Sequence, residues 1–332
     1  MGCSYSKPKE IQNKYINEYK NDVSLENKVI AITGTTSGLG YITATYLLNR
    51  GATVICLNRD SERAKKAMSE LLAIGKGTPI AITCDNSDFE SVKSAANAII
   101  SMFPEGIDVL NNNAGVMALP SLPGNKDGYD LQIATNHLGH FLLTKLLLPL
   151  LEKKAEKTGE ARIVTCSSEA RNFNGAPITA KYFEKNAGKL GGDGFWPRFV
   201  RYQQSKLSNA VFTYGLHNKL SSKGSKVKAV VVHPGLSATH LQVTSASSGL
   251  SPCILSMLMT QGQSAEDGTL STIIAITDSK VNSGEFWGPT VGMGWMRGTP
   301  KLIKPEKICT DPASIDLLWK VSEAAIGESF VI

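Results

Sequence analysis

Tyr202 and Lys206 stand four residues apart, a spacing that puts both side chains on one face of a helix. A free tyrosine titrates near pH ~10, too high for ready proton exchange at neutrality. An ammonium group beside it stabilises the phenolate and lowers that value, so the pair makes a general acid/base. Upstream lie Ser168, Asn136 and a glycine-rich run, TGTTSGLG from Thr33 to Gly40. Gly34 can make a sharp exit turn, and Gly38 lets backbone approach a bound phosphate. Gly40 permits close packing as a helix begins with its amino end facing negative charge. Each element alone has a plain structural reading: Ser168 ends a strand, Asn136 caps a turn, Tyr202 is a surface aromatic and Lys206 is solvated. Their order along the chain carries the argument.

The elements that must hold these residues are legible as an alternation of buried strands and amphipathic helices. VIAIT (Val29 to Thr33), TVICL (Thr53 to Leu57) and PIAIT (Pro79 to Thr83) are short, apolar and rich in β-branched residues, as buried parallel strands are. Further strands fit Ile107 to Asn111, Arg162 to Ser167 and Lys228 to His233. Between them, sets such as Val92, Ala95, Ala96, Ile99, Ile100 and Phe103 line one helical stripe. Repeated β-α-β units with right-handed crossovers predict an α/β fold: a single Rossmann-type doubly wound parallel sheet with helices on both faces. Ligands of such sheets sit beyond the carboxyl ends of the strands, and the glycine run directly follows the first strand. We divide the chain into a polar lead-in, 1–27, and one domain, 28–332.

The glycine loop with its G-x3-G-x-G spacing, NNAG at Asn112 to Gly115, Asn136, Ser168, Tyr202, Lys206 and HPG at His233 to Gly235 follow one another in the order of a known family. The chain resembles the short-chain dehydrogenase/reductases. NHLGHF, YQQSKLSNAVFT, GEFWGP and LLWKVSE are similar to the retinol-dehydrogenase-like branch. The resemblance covers about Asn27 to Gly327 and implies an oxidoreductase that moves hydride between a nicotinamide dinucleotide and a lipophilic alcohol, aldehyde or ketone. It places Gly34, Thr36, Ser37, Gly38, Leu39 and Gly40 on the cofactor, Asp85 and Asn86 at the adenine, and Asn113, Ala114 and Gly115 along it. Pro234 and Gly235 join them, and Thr239 contacts the carboxamide. Lys206 also bonds the nicotinamide ribose, Ser168 holds the substrate oxygen and Asn136 supports a water relay to the lysine. Ser168 rather than Ser167 follows from aligning CSS with the family's strand-end serine.

At the end of the second strand, where an acidic residue would bond the ribose hydroxyls, stands Asn58, followed by Arg59. A carboxylate would repel a 2′-phosphate, whereas a guanidinium can hold one in a bidentate contact, so NADP(H) is favoured over NAD(H). The alternative for Arg59 is an ion pair with Asp60. Two other readings of the whole chain stay open: a catalytically silent dinucleotide-binding scaffold, and a light-driven reductase of the protochlorophyllide type.

Composition bounds the rest. With 332 residues, 42% hydrophobic, 19% charged and a formal charge of +6 with dispersed lysines, nothing marks a nucleic-acid partner. Cys3, Cys56, Cys84, Cys166, Cys253 and Cys309 are widely spaced without a CxxC pair, so free thiols and no metal are expected. His137, His140 and His233 read as structural. No apolar run is long enough to span a bilayer, FLLTKLLLPLL being broken by Lys145 and Pro149. The start, Met1-Gly2-Cys3-Ser4-Tyr5-Ser6, fits an N-myristoylation pattern with a cysteine for a second acyl chain and Lys7 and Lys9 nearby, which would anchor the protein at a cytoplasmic membrane face; a plain cytoplasmic tail is the other reading. KLGGDGFWPRF, before Tyr202, is expected to form a mobile flap beside the pocket, and GLSPCILSMLM (Gly249 to Met259) an apolar lid or ordinary core. The family resemblance implies a homo-oligomer that pairs through the long helices containing His140 and Tyr202.

Overall fold

The computed structural model describes residues 12–119, 124–173, 175–186, 189–237, 262–291 and 296–332. Eight strands form one sheet in the order β3-β2-β1-β4-β5-β6-β7-β8. They are β1 Val29–Thr33, β2 Thr53–Asn58, β3 Thr78–Thr83, β4 Val109–Asn112, β5 Ala161–Cys166, β6 Val227–Val232, β7 Phe286–Val291 and β8 Arg297–Leu302. All neighbours are parallel except β7 and β8, which pair antiparallel with a bulge between Pro289 and Val291. Strand order reverses between β1 and β4, which opens a crevice at their carboxyl ends.

The helices are α1 Tyr15–Glu18, α2 Gly38–Leu48, α3 Glu62–Leu72, α4 Phe89–Met102, α5 Leu131–Ile133, α6 Gly139–Thr158, α7 Phe195–Ser222, α8 Ala265–Thr277, α9 Lys307–Thr310 and α10 Pro312–Ile326. They cover both faces. On one, α4, α6, α7 and α10 bury Val92, Phe141, Leu207, Phe212 and Trp319 against Ile55, Leu110 and Ile163. On the other, α2 and α8 pack Ala44, Leu47, Leu270 and Ile274 on Ile30, Val54 and Val164. The expected doubly wound α/β architecture is therefore the one observed.

Two features lie beyond the sequence reading. The described part of the lead-in is docked on the body: Lys14 N and Ile16 N donate to the buried Asp267 carboxylate at 3.0 and 2.8 Å, and Leu25 is in the core. At the other end, α10 lies across the two long helices. Trp319 stacks edge-on against Phe141 of α6 at 5.2 Å and lies 5.8 Å from Phe212 of α7. Gly215 of α7 permits a close approach, since a Cβ there would come within 2.8 Å of Ile315. Part of the surface through which the resemblance has copies pair is thus covered by the chain itself.

Candidate active site

The loop after β1 is shaped by its glycines. Gly34 takes φ +76°, in the left-handed region, and a Cβ on Gly40 would lie 2.2 Å from the Gly34 carbonyl oxygen. The loop is then tied to its neighbours. Asn58 Oδ1 accepts from Thr35 N at 2.7 Å and its Nδ2 donates to Thr35 Oγ1 at 2.8 Å. Asn113 Nδ2 donates to Thr33 O at 2.8 Å, while Asn113 N and Ala114 N both donate to Thr33 Oγ1. Five of the ten α-helices given above start under a side-chain cap: Ser61 caps α3, Asp88 α4, Asp130 α5, Ser264 α8 and Asp311 α10. Ser37, at the start of α2, makes no such bond, so the first amides of α2 face the crevice without a side-chain acceptor.

That crevice is a cleft of about 620 Å³. Gly34, Thr36, Ser37, Gly38, Leu39, Gly40, Asn58, Arg59, Asp85, Asn86, Asn113, Ala114 and Gly115 all line it. The uncapped start of α2 and the glycines that let backbone approach fit a dinucleotide diphosphate. Pro234 and Gly235 do not line it. They follow β6, where Pro234 O accepts from Gln263 Nε2 and Ser237 Oγ, and Gly235 has φ +64°. Thr239 and the segment from Gly249 to Met259 lie outside the described residues, as do Gly2, Cys3 and Cys253.

Sequence reasoning missed Arg63. It lies in the first turn of α3 and lines the cleft beside Arg59. Both guanidiniums are exposed, and among the described residues neither is within ion-pair distance of a carboxylate, Asp60 included. The four-residue spacing of Arg59 and Arg63 was the available signal.

Asn136, Ser168, Tyr202 and Lys206 do not line this cleft; Tyr202 and Lys206 sit on α7 with 4% and 3% exposure, enough burial to control both titrations. Lys206 Nζ donates to Cys166 O at 3.1 Å, leaving its other protons for a ligand. Gly115 is the contact with the cleft: a Cβ there would stand 3.2 Å from Lys206 Nζ and 3.3 Å from Asn136 Oδ1. Asn136 lies in a π-helical turn, Ala134–Leu138, a local irregularity frequent at functional sites. Its side chain clamps Val116 through both N–H and C=O, at 2.8 and 2.9 Å, and donates to Ser205 Oγ at 2.9 Å. Asn136 therefore locks the cofactor-side loop to the helix of Tyr202.

Ser168 and Ser167 face different ways. Ser167 Oγ donates to Lys206 O at 2.7 Å and is buried. Ser168 Oγ accepts from Ala170 N at 3.2 Å and stands by the Tyr202 phenol, where it favours the phenolate. Burial pushes the Tyr202 phenol well above its usual value, and the Ser168 bond opposes this to a smaller extent. Burial likewise lowers Lys206. In the protein alone Lys206 does not deliver the expected lowering of Tyr202: burial raises the phenol, and the opposing influence comes from Ser168.

Buried imidazoles brace the site. His140 Nδ1 donates to Asn136 O at 2.9 Å, which leaves Nε2 to accept from Thr33 Oγ1 at 2.8 Å in the neutral ring. One imidazole so links the glycine loop to the Asn136 turn. Burial brings His140 down to about 4, so the ring stays neutral.

With this geometry in view, the chain's relatives can be placed. Residues 28–196 match the family model described as short chain dehydrogenase. An uncharacterized oxidoreductase of Schizosaccharomyces pombe is 37% identical over 226 residues, 67% of this chain and 64% of the relative. Retinol dehydrogenase 12 of Bos taurus is 36% identical over 218 residues, 65% of this chain and 64% of its own. The matched region thus spans about 64% of the length of these curated relatives. A solved structure of an uncharacterized protein from Mycobacterium Paratuberculosis superposes with a TM-score of 0.72 at 31% identity, covering 93% of this chain and 97% of that one. The chain belongs to the short-chain dehydrogenase/reductase family, in its retinol-dehydrogenase-like branch.

Proposed function

We propose that this chain is an NADP(H)-dependent oxidoreductase that interconverts a lipophilic alcohol and its aldehyde or ketone. The observation that carries the reading is Lys206 Nζ standing behind Gly115, a residue of the cleft that Arg59 and Arg63 also line, with Tyr202 on the same helix and Ser168 acting on its phenol. A nicotinamide held there supplies or accepts the hydride. Tyr202 gives its proton to the carbonyl oxygen during reduction, and Ser168 holds that oxygen. The raised Tyr202 value keeps the phenol protonated, as the reductive direction needs. In the oxidative direction the phenolate is needed, and a charged Lys206 with a positive nicotinamide ring beside it favours that form.

The two arginines and the absence of a carboxylate at Asn58 support NADP(H). The lipophilic substrate is argued from the branch, some of whose members are named for retinol or polyprenol. No helix among the described residues is long and apolar enough to cross a membrane. Acylation at Gly2 and Cys3 is our proposal for membrane attachment, and an unmodified Gly2 in mass spectra of the native protein would end it.

Thermal unfolding with NADPH and with NADH in parallel tests the core of the reading, since a ligand at 100 times its dissociation constant stabilises by about 2.7 kcal/mol. A selective NADPH shift, followed by turnover of aldehydes that Tyr202→Phe lowers by roughly 10² to 10⁴, is the expected result. A shift with neither nucleotide, or biological activity that survives Tyr202→Phe, would point to a silent scaffold instead.

A further inference from the structure

Arg171 stands three residues beyond Ser168, in the short 3-10 turn Glu169–Asn172, and its side chain is fully buried. Its amide and its Nη1 both donate to Ser168 O at 3.0 Å. The residue whose hydroxyl acts on the Tyr202 phenol is thus gripped twice by its carbonyl. On the other side, Arg171 O accepts from Gln203 Nε2 at 2.8 Å, and Gln203 is the buried neighbour of Tyr202 on α7. One residue therefore ties the Ser168 turn to the Tyr202 helix. The guanidinium is itself fixed: Nε and Nη2 donate to the two oxygens of Glu306 at 3.1 and 2.7 Å, and Nη1 also reaches Glu169 Oε1 at 3.0 Å. It lies 4.4 Å over the Phe286 ring. Glu306, just before α9, is 135 positions away in sequence, so the fold brings a distant carboxylate to hold this one side chain.

We propose that Arg171 is a positioning residue: it holds Ser168 at the Tyr202 phenol, and turnover depends on it through Ser168. The proposal rests on the oxidoreductase reading. A plainer role, fastening α9 to the body, needs only the Glu306 contact. It does not call for the bonds to Ser168 O and from Gln203. A buried guanidinium between two carboxylates is costly to desolvate and adds little net stability, whereas its planar fork fixes both distance and angle. Fixing an angle matters here because Ser168 must meet a phenol on another element, and a misplacement of about 1 Å can cost about 10²-fold in rate.

The test is a double-mutant cycle in the full-length protein, comparing the native chain, Arg171→Lys, Ser168→Ala and the two changes together. For each, kcat and KM are measured with NADPH on the aldehyde that the native chain reduces fastest, and the NADPH dissociation constant is measured separately. Lysine keeps the positive charge but cannot serve Glu306 and Ser168 O together. We expect Arg171→Lys to lower kcat by about tenfold or more. KM and NADPH binding should stay within about twofold of native, as for sites that do not couple. In the Ser168→Ala background the same change should cost less than about twofold, because nothing is left to position. Should Arg171→Lys fail to accumulate, Glu306→Gln replaces it and should show the same pattern, a loss of kcat that vanishes without Ser168. Equal fold-losses in both backgrounds overturn the proposal and leave the oxidoreductase reading in place. So does a native kcat in the single variant. A native chain that binds NADPH and reduces no aldehyde overturns both.

Discussion

On the proposed NADP(H) reading, Arg59 and Arg63 are the single residues on which the choice of cofactor turns. Each is exposed at the cleft and, among the described residues, has no carboxylate partner, so each can meet a phosphate at little desolvation cost. Replacing either with alanine should weaken NADPH binding by about tenfold and leave NADH binding nearly unchanged, since a charge-assisted bond contributes about 1.5 to 3 kcal/mol. Titration calorimetry with both nucleotides measures this; parallel losses for the two would remove the 2′-phosphate role. Tyr202 makes a second prediction. Its raised value means that aldehyde reduction should hold steady from neutrality to above pH ~9, while alcohol oxidation climbs with pH over the same range. Tyr202, Lys206 and the glycine loop were legible in the sequence because their chemistry follows from residue type and spacing. The hydrogen-bonded set Thr33, His140 and Asn136 was not, because those residues lie 107 and 4 positions apart and meet only through the fold.

Among the elements, the start of α7 depends on a buried ion pair. Asp130 accepts from Gln132 N and Ile133 N at 2.9 and 3.0 Å, opening α5, and pairs with Arg201, which precedes Tyr202. Both are buried, and burial pushes the Asp130 carboxyl upward against its partners. Arg201→Met leaves that carboxylate uncompensated, so a loss of about 3 to 5 kcal/mol is expected. Urea denaturation reads it directly, and a change of less than about 1 kcal/mol would show that water replaces the guanidinium. Strands β1 to β6 were predictable from their dense β-branched runs. The hairpin of β7 and β8 was not: FWGPTV and RGTPKL contain prolines and alternate poorly, and they are strands because β6 offers an edge to complete.

For the molecule as a whole, three buried imidazoles make stability depend on mild acid. Burial lowers His137 to about 3 and His140 to about 4, and His233 falls well below its usual value. Their folded values lie below the unfolded 6.5. The stability they confer is present above pH ~6.5 and is lost as pH falls toward the folded values, because the unfolded chain takes up protons first. For His140 alone the loss by pH ~4 is about 3 kcal/mol. Urea midpoints should therefore drop between pH ~6.5 and ~5, before ordinary carboxylates titrate; a flat profile across that interval would contradict neutral burial.

The two outermost strands have a further consequence. In β3, Thr78 N and Cys84 N donate inward to β2, so by alternation Pro79 turns its nitrogen outward. In β8, Ile303 N donates inward to Phe286 O, so Pro300 also faces out. Both sheet margins thus lack an amide donor where an incoming strand would need one. Growth of the sheet from chain to chain is thereby disfavoured at one position on each side.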